Sequence, residues 1–225
     1  MVSIISATVS PRLQYVCDFI FAQYYGLPHE LITDANQASS TSLIFYGLES
    51  DRAAAMHISA ADLLSVKGIA PQALHICKTN TATLLFPFPK TEVGFDIFSA
   101  VFYLISRYEE YLDAAPDVYG RFDAINSVAY QNDFLYLPMI DIWLSDFKKH
   151  LEKYFPNLVF AKRAFSFLPT YDIDIAFSYK AKGLVRNIGG FLKSPSMERI
   201  KVLLGQRQDP YDCYEYLQIY ISSIN

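Results

Sequence analysis

The chain has 225 residues, of which 52% are hydrophobic and 19% charged, and its net charge is -4. This apolar content argues against a disordered chain, and the acidic balance provides no basic surface for nucleic acid. The length allows one large domain, or one domain followed by part of another.

Cysteine usage and hydropathy indicate where the protein resides. Cys17, Cys77 and Cys213 are too few and too far apart for a disulfide framework or a zinc ribbon. The first residues lack the basic region and the long apolar core of a signal peptide. No apolar run approaches the roughly 18 residues of a membrane-spanning helix. We therefore expect a cytoplasmic protein without a membrane span, in which Cys17 is a core residue.

The first half of the chain alternates short apolar runs with turn signals, which is typical of a compact α/β domain. Ser10 followed by Pro11 predicts the start of a helix, with Ser10 as the N-cap, and Gly26 predicts its end. Residues 59–62 have the spacing of a capping box and predict a second, short helix. Strands are predicted at residues 3–9, 30–33, 42–46, 54–58, 73–77 and 83–86.

Helical periodicity dominates the residues that follow the alternating prolines of the segment 86–89. A long helix is predicted from about residue 96 to residue 111, with Asp96 at its positive end, and another from 138 to 154. Gly189 and Gly190 predict a flexible turn ahead of a helix that starts at residues 194–195. We place a domain boundary at residue 160, between an α/β accessory domain (1–160) and a second segment (161–225).

Four charged residues lie close together in this aromatic-rich sequence. Arg107, Glu109 and Glu110 are at the predicted end of the long helix, and Arg121 follows in Gly-Arg-Phe. Charges in apolar surroundings must be paired, so we expect them to be partly buried. They form either a structural ion-pair network, the simpler interpretation, or a binding site. In a binding site, the two arginines would donate hydrogen bonds to an anionic or hydroxyl-rich ligand.

Two carboxylates, Asp172 and Asp174, end the apolar run that begins at Phe165. If that run is a strand, both carboxylates point to one face and Ile173 points to the other. Two like charges on one face need a cation, a shared proton or open solvent. The pattern therefore fits either a solvated strand end or half of a metal-assisted hydrolytic site.

Residues 170–174, Thr-Tyr-Asp-Ile-Asp, resemble the first motif of the polysaccharide deacetylases, the NodB-like carbohydrate esterases. The resemblance implies that Asp172 is the catalytic general base. It also implies that Asp174 binds the metal, usually zinc, together with two histidines of a downstream H-[ST]-x-x-H motif. Upstream, residues 95–111 and 120–122 resemble an uncharacterised domain that precedes such deacetylase domains in Bacteroidetes proteins.

The chain departs from the deacetylase pattern in its histidines. His29, His57, His75 and His150 all precede Asp172, and none has the H-[ST]-x-x-H spacing. A deacetylase (β/α) barrel needs roughly 200 residues, many more than follow the motif. We therefore expect residues 161–225 to be the incomplete start of a barrel-like deacetylase domain in a truncated chain.

These expectations imply different properties for the chain and for its full-length parent. The parent would be a hydrolase that uses a divalent metal such as zinc on a carbohydrate substrate. The chain alone would be inactive and would bind no metal tightly, with both aspartates near the surface. Exposed apolar side chains around them would favour a homo-oligomer.

Other functions remain open. Haloacid-dehalogenase-type phosphatases use D-x-D-x-[TV], but Ala176 replaces the last residue of that motif. Glycosyltransferases use D-x-D to bind a divalent metal with a nucleotide sugar. Neither class accounts for residues 95–122. The alternative from a different class is a non-catalytic glycan- or protein-binding domain in which the Asp pair is structural.

Overall fold

The computed structural model describes residues 1–52, 54–162 and 164–224, which divide between two compact units, Met1–Lys162 and Arg163–Asn225. The strands of the first unit are β1 (Val2–Ser6), β2 (His29–Ile32), β3 (Leu43–Tyr46), β4 (Met56–Ile58), β5 (Ile76–Lys78) and β6 (Thr83–Leu85). Its helices are α1 (Pro11–Cys17), α2 (Ile97–Ile105), α3 (Val128–Gln131) and α4 (Met139–Tyr154). The second unit contains α5 (Leu184–Lys193), α6 (Met197–Leu203) and α7 (Tyr214–Ile224). The predicted α/β class is confirmed.

Four strands of the first unit form a parallel sheet in the order β2-β1-β3-β4, and β5 pairs with β6 in an antiparallel hairpin. Ser6 lies beside Tyr46, which in turn lies beside Ile58. Strands β1, β3 and β4 therefore end together at one edge of the sheet. Both faces of a parallel sheet are usually covered, and the central strands β1 and β3 are correspondingly rich in apolar residues. Every residue of β1 and β3 is buried accordingly.

The main core lies between one face of the sheet and helices α1, α2 and α4. The ring of Phe98 in α2 lies 5.2 Å from that of Tyr46 and 6.2 Å from that of Phe147, measured between ring centroids. Cys17 is buried in this core, as the helical pattern predicted. On the opposite face of the sheet, Ile5, Leu43 and Phe45 form a smaller apolar cluster with Ala55.

The start of helix α1 follows the predicted capping chemistry. The Ser10 hydroxyl accepts a hydrogen bond from the backbone N–H of Leu13 at 3.0 Å, and Pro11 is the first helical residue. The helix continues as a π-helical segment, Asp18–Tyr24. Gly26 follows with φ +64°, and a Cβ there would lie 2.5 Å from that of Ala161. Only glycine fits both constraints.

Helix α2 is shorter than predicted, because it ends at Ile105 instead of continuing to residue 111. The Ser106 hydroxyl donates to the carbonyl of Phe102, which competes with the helical bonding pattern. Arg107 then adopts left-handed backbone angles (φ 52°, ψ 42°), the conformation that commonly terminates a helix. A separate 3₁₀ turn, Tyr108–Tyr111, follows.

A buried carboxylate fixes the start of α2. Asp96 is fully buried and caps the helix by accepting the Ser99 N–H at 3.0 Å. Its other oxygen accepts the Tyr46 hydroxyl at 2.8 Å and the Ala61 N–H at 2.7 Å. Burial raises the pKa of Asp96, and these hydrogen bonds partly oppose that effect. One side chain thus joins α2, the end of β3 and the segment after β4.

The second unit departs from two predictions. Residues 165–174 form neither a strand nor a helix, so the strand geometry that would put Asp172 and Asp174 on one face is absent from this described segment. Gly189 and Gly190 lie within helix α5 and not in a turn. A Cβ at Gly190 would lie 2.6 Å from a guanidinium nitrogen of Arg199. This glycine therefore allows close packing inside the unit.

Asp209 organises the second unit. Its carboxylate accepts backbone N–H groups from Ser178, Tyr179 and Lys180 at 2.7 to 3.0 Å, and a fourth from Tyr211. Burial alone would raise the pKa of Asp209, but these four donors lower it to about 2. The carboxylate ties the segment before α5 to the loop before α7.

The Tyr46–Asp96 hydrogen bond can be tested by removing one hydroxyl. Tyr46→Phe leaves the buried carboxylate with one donor fewer, and we expect the free energy of unfolding to fall by about 1.5–3 kcal/mol. Urea denaturation followed by circular dichroism measures the change. Tyr136→Phe is the matched control, because Tyr136 is 96% exposed, and it should be neutral. Equal stability of both variants would contradict a structural role for this bond.

The depressed pKa of Asp209 predicts acid sensitivity of the second unit. The carboxyl titrates at about 3.8 when unfolded and at about 2 when folded. Its stabilisation, on the order of 1–2 kcal/mol, is therefore present above pH 4 and is lost as the pH falls towards 2. Asp209→Asn should abolish this part of the pH dependence in melts of the chain between pH 2 and pH 5. An unchanged acid profile would contradict the assignment.

Candidate functional site

An open cleft with a volume of about 630 Å³ lies beside the end of α2. It brings together three of the residues that the sequence singled out, with two further carboxylates. The charged side chains that line it are Arg107, Glu110, Asp117, Arg121 and Asp123. Arg107, Glu110 and Arg121 belong to the charged set that the sequence predicted. Asp117 and Asp123 were not predicted, although Asp117 precedes Gly120 and Arg121 at the spacing of a turn.

Arg107 stands at the junction between α2 and the following 3₁₀ turn. Its Nε donates to Glu110 Oε1 at 2.6 Å, while 72% of the Arg107 side chain is exposed. A left-handed conformation costs a residue with a Cβ roughly 1 kcal/mol, and glycine would avoid that cost. Strained residues of this kind cluster at functional sites. The backbone of Arg107 is thus locally strained, and its guanidinium is exposed.

Arg121 is held on a tight turn by Asp117. The Asp117 carboxylate accepts the Arg121 Nε at 3.1 Å and also the backbone N–H groups of Tyr119 and Arg121. The Arg121 backbone N–H is the main cause of the lowered pKa of Asp117. The guanidinium lies 4.8 Å from the Tyr119 ring centroid, and 71% of the Arg121 side chain is exposed. The turn therefore presents a pre-oriented cation.

Glu109 does not belong to the cleft. Its carboxylate accepts the Val128 N–H at 2.8 Å, at the start of α3. Burial raises the pKa of Glu109 although this hydrogen bond opposes the shift. The four charged residues predicted as one set therefore separate. Glu109 bonds to the start of α3, whereas Arg107 and Arg121 form exposed ion pairs instead of the partly buried network that was expected.

The charges of the cleft decide which ligands it suits. Two guanidinium groups face three carboxylates, so the lining has no net positive charge. An anion would gain from the arginines and lose to Glu110, Asp117 and Asp123. A ligand whose hydroxyl groups both donate and accept can use both kinds of group. The cleft therefore favours a neutral, hydroxyl-rich compound.

Asp172 and Asp174, the predicted general base and metal ligand, do not belong to any group of three potential metal ligands among the described residues. Asp172 and Asp174 are both exposed. His29 pairs with Asp18 at 3.0 Å, and the His57 ring lies 3.3 Å from the Leu48 carbonyl. No group of three or more His, Cys, Asp or Glu residues that could hold a metal occurs among the described residues.

A zinc site needs three or four protein donors in tetrahedral geometry. Asp174, even together with Asp172, supplies too few, and both His29 and His57 have partners elsewhere in the first unit. The described residues therefore do not fit the zinc site that the resemblance implies, and no catalytic step is derived through it.

Comparison with known proteins identifies the first unit. A family of unknown function, DUF7033, matches residues 2–156. The chain belongs to this family. The match covers the sheet and helices α1 to α4, and with them the cleft. No curated protein matches the chain, and neither does any solved structure. Among the described residues, no helix is long and apolar enough to cross a membrane.

The exposure of Arg107 predicts that this residue contributes little to stability. Arg107→Ala removes a solvent-exposed ion pair, and we expect the free energy of unfolding to change by less than about 1 kcal/mol. Arg107→Gly should be at least as stable as Arg107→Ala, because glycine tolerates φ 52° without strain. Chemical denaturation measures both variants. A loss of about 3–5 kcal/mol, the scale for breaking a buried ion pair, would show that Arg107 is structural.

Proposed function

We propose that the chain is the amino-terminal accessory part of a metal-dependent, carbohydrate deacetylase-like hydrolase. In this proposal the DUF7033 unit binds a neutral glycan and performs no chemistry. The deacetylase assignment is supported by the resemblance of residues 170–174 to the first motif of those enzymes. Under it, Asp172 serves as the general base and Asp174 as a ligand in the full-length protein. The chain by itself is proposed to be inactive.

The cleft beside α2 is the observation that carries the glycan-binding part of this proposal. Each guanidinium binds a carboxylate along one edge and keeps further N–H donors exposed. The carboxylates keep acceptor oxygens for sugar hydroxyl groups. Tyr119 is 78% exposed and stacks with Arg121, so it offers an aromatic surface next to the charged groups. Paired donors, acceptors and an aromatic ring suit an oligosaccharide better than an apolar ligand.

A second candidate is protein binding, including self-association. Helix α5 exposes a set of large apolar side chains along its length, and exposed apolar patches mark interaction surfaces. The exposed members are Leu184, Val185, Ile188 and Leu192. This surface belongs to the second unit, so it is independent of the cleft and of the glycan proposal.

Calorimetric titration of the whole chain tests the glycan proposal. The probe is a neutral tetramer of β-1,4-linked N-acetylglucosamine, and a tetragalacturonate of similar length is the anionic comparison. We expect the neutral tetramer to bind, and Arg107→Gln and Arg121→Gln each to weaken it about tenfold, since each loses charge-assisted hydrogen bonds. Arg186→Gln is the matched control, because Arg186 is an exposed arginine in the second unit.

Three outcomes would reject this function. Tighter binding of tetragalacturonate than of the neutral tetramer would mean that the arginines dominate the cleft. Absence of binding by either probe at millimolar concentration would leave protein binding as the better assignment. Binding that survives both arginine substitutions would place the glycan elsewhere on the chain.

A further inference from the structure

A second cavity, of about 230 Å³, opens at the edge of the sheet where β1, β3 and β4 end. Strand β1 leads through α1 to β2 on one side, whereas β3 leads to β4 on the other. The chain connections therefore diverge between β1 and β3. In open parallel α/β sheets, ligands bind in the crevice at this point of divergence. The cavity lies at that point, between the residues that follow β1, β3 and β4.

A hydroxyl group without a protein partner faces this cavity. Ser6 ends β1, lines the cavity and is only 7% exposed. In the part of the chain that the structure describes, the Ser6 hydroxyl has no hydrogen-bond partner. Among the described residues, Arg199 Nε is the only fully enclosed side-chain polar atom without a partner, so the Ser6 hydroxyl is open to the cavity. There it can donate to and accept from water or a ligand. Ser6 therefore points to a polar occupant of the cavity.

Hydrogen bonds and close packing fix the positions of the residues that line the cavity. Tyr46 and Ala61 line it, and both donate to the buried carboxylate of Asp96. Gly47 has φ +67°, and a Cβ there would lie 2.8 Å from that of Ala60. The two segments, which both line the cavity, therefore approach each other closely. Its shape is thus formed before any ligand arrives.

The lining chemistry limits the ligand class. Of the described residues that line the cavity, none is Lys, Arg or His. Hydroxyl groups come from Ser6, Thr8 and Ser65, and Asp62 supplies an exposed carboxylate. An anion would meet a carboxylate without a compensating cation. A neutral ligand that carries several hydroxyl groups can donate to Asp62 and accept from the serine and threonine hydroxyls.

We propose that the cavity between β1 and β3 binds one small neutral polyhydroxy compound, of the size of a single sugar ring. Its volume is below the roughly 300 Å³ at which pockets for drug-sized ligands begin, so a longer oligosaccharide does not fit inside. The site is separate from the cleft beside α2 and does not depend on its function. Ser6 and Asp62 are the residues that give the site its selectivity.

Ligand-observed NMR on the whole chain tests this inference. The probes are D-glucose, N-acetyl-D-glucosamine and myo-inositol, each titrated separately, with inorganic phosphate and magnesium chloride as comparisons. We expect at least one polyhydroxy probe to bind. Ser6→Ala and Asp62→Asn should each weaken it about tenfold, as expected for a lost hydrogen bond in a buried or charged pair.

Matched substitutions distinguish binding in this cavity from binding elsewhere on the protein surface. Thr8→Val should weaken binding, whereas Thr81→Val should not, because Thr81 is an exposed threonine outside the cavity. Asp113→Asn is the corresponding control for Asp62→Asn. Arg107→Gln and Arg121→Gln should leave binding unchanged, which separates the cavity from the cleft. Thermal melts establish that each variant is folded.

Four results would overturn the inference. The first is binding of none of the three polyhydroxy probes at tens of millimolar. The second is tighter binding of phosphate or of magnesium than of any of them. The third is polyhydroxy binding that Ser6→Ala and Asp62→Asn leave intact in folded protein. The fourth is binding that is lost on Arg107→Gln, which would assign it to the cleft.

Discussion

The buried carboxylate of Asp96 is the interaction on which the first unit depends. It accepts hydrogen bonds from Tyr46, Ala61 and Ser99, which belong to three different segments of the chain. A carboxyl group in a dry core is unfavourable unless its oxygens are hydrogen-bonded. The helix start, the end of β3 and the segment after β4 must therefore keep their relative positions. This requirement orders the edge of the sheet where the small cavity lies.

Local signals in the sequence were sufficient where structure depends on neighbouring residues. The start of α1 follows from Ser10 and Pro11, and helix α4 begins and ends within a residue of its prediction. The predictions failed where distant residues decide. Gly190 lies within α5, and a Cβ there would lie 2.6 Å from a guanidinium nitrogen of Arg199, a contact between residues nine positions apart that no turn rule includes. Similarly, strand order and the partners of Asp96 depend on tertiary contacts.

The charged residues of the cleft were predicted only in part, because Arg107, Glu110 and Arg121 line it but Glu109 does not. Arg107 and Arg121 were expected to be partly buried because their neighbours in sequence are aromatic. In the fold, Tyr108 turns inward beside Arg107, while both arginines remain at the surface. An exposed ion pair contributes little to folding stability. The two exposed arginines are therefore better suited to bind a ligand than to stabilise the fold. With Glu110, the carboxylates of Asp117 and Asp123 outnumber the two arginines, so the cleft has no net positive charge.

Helix α2 connects the two candidate sites of the first unit. Its N-cap, Asp96, bonds to two residues that line the small cavity, and its C-terminal end leads into Arg107 at the cleft. Nine residues of α-helix span about 14 Å, so the two sites are distinct yet joined by one rigid element. The helix is buried along most of its length, which resists bending. The length of this helix therefore sets the separation between the small cavity and the cleft.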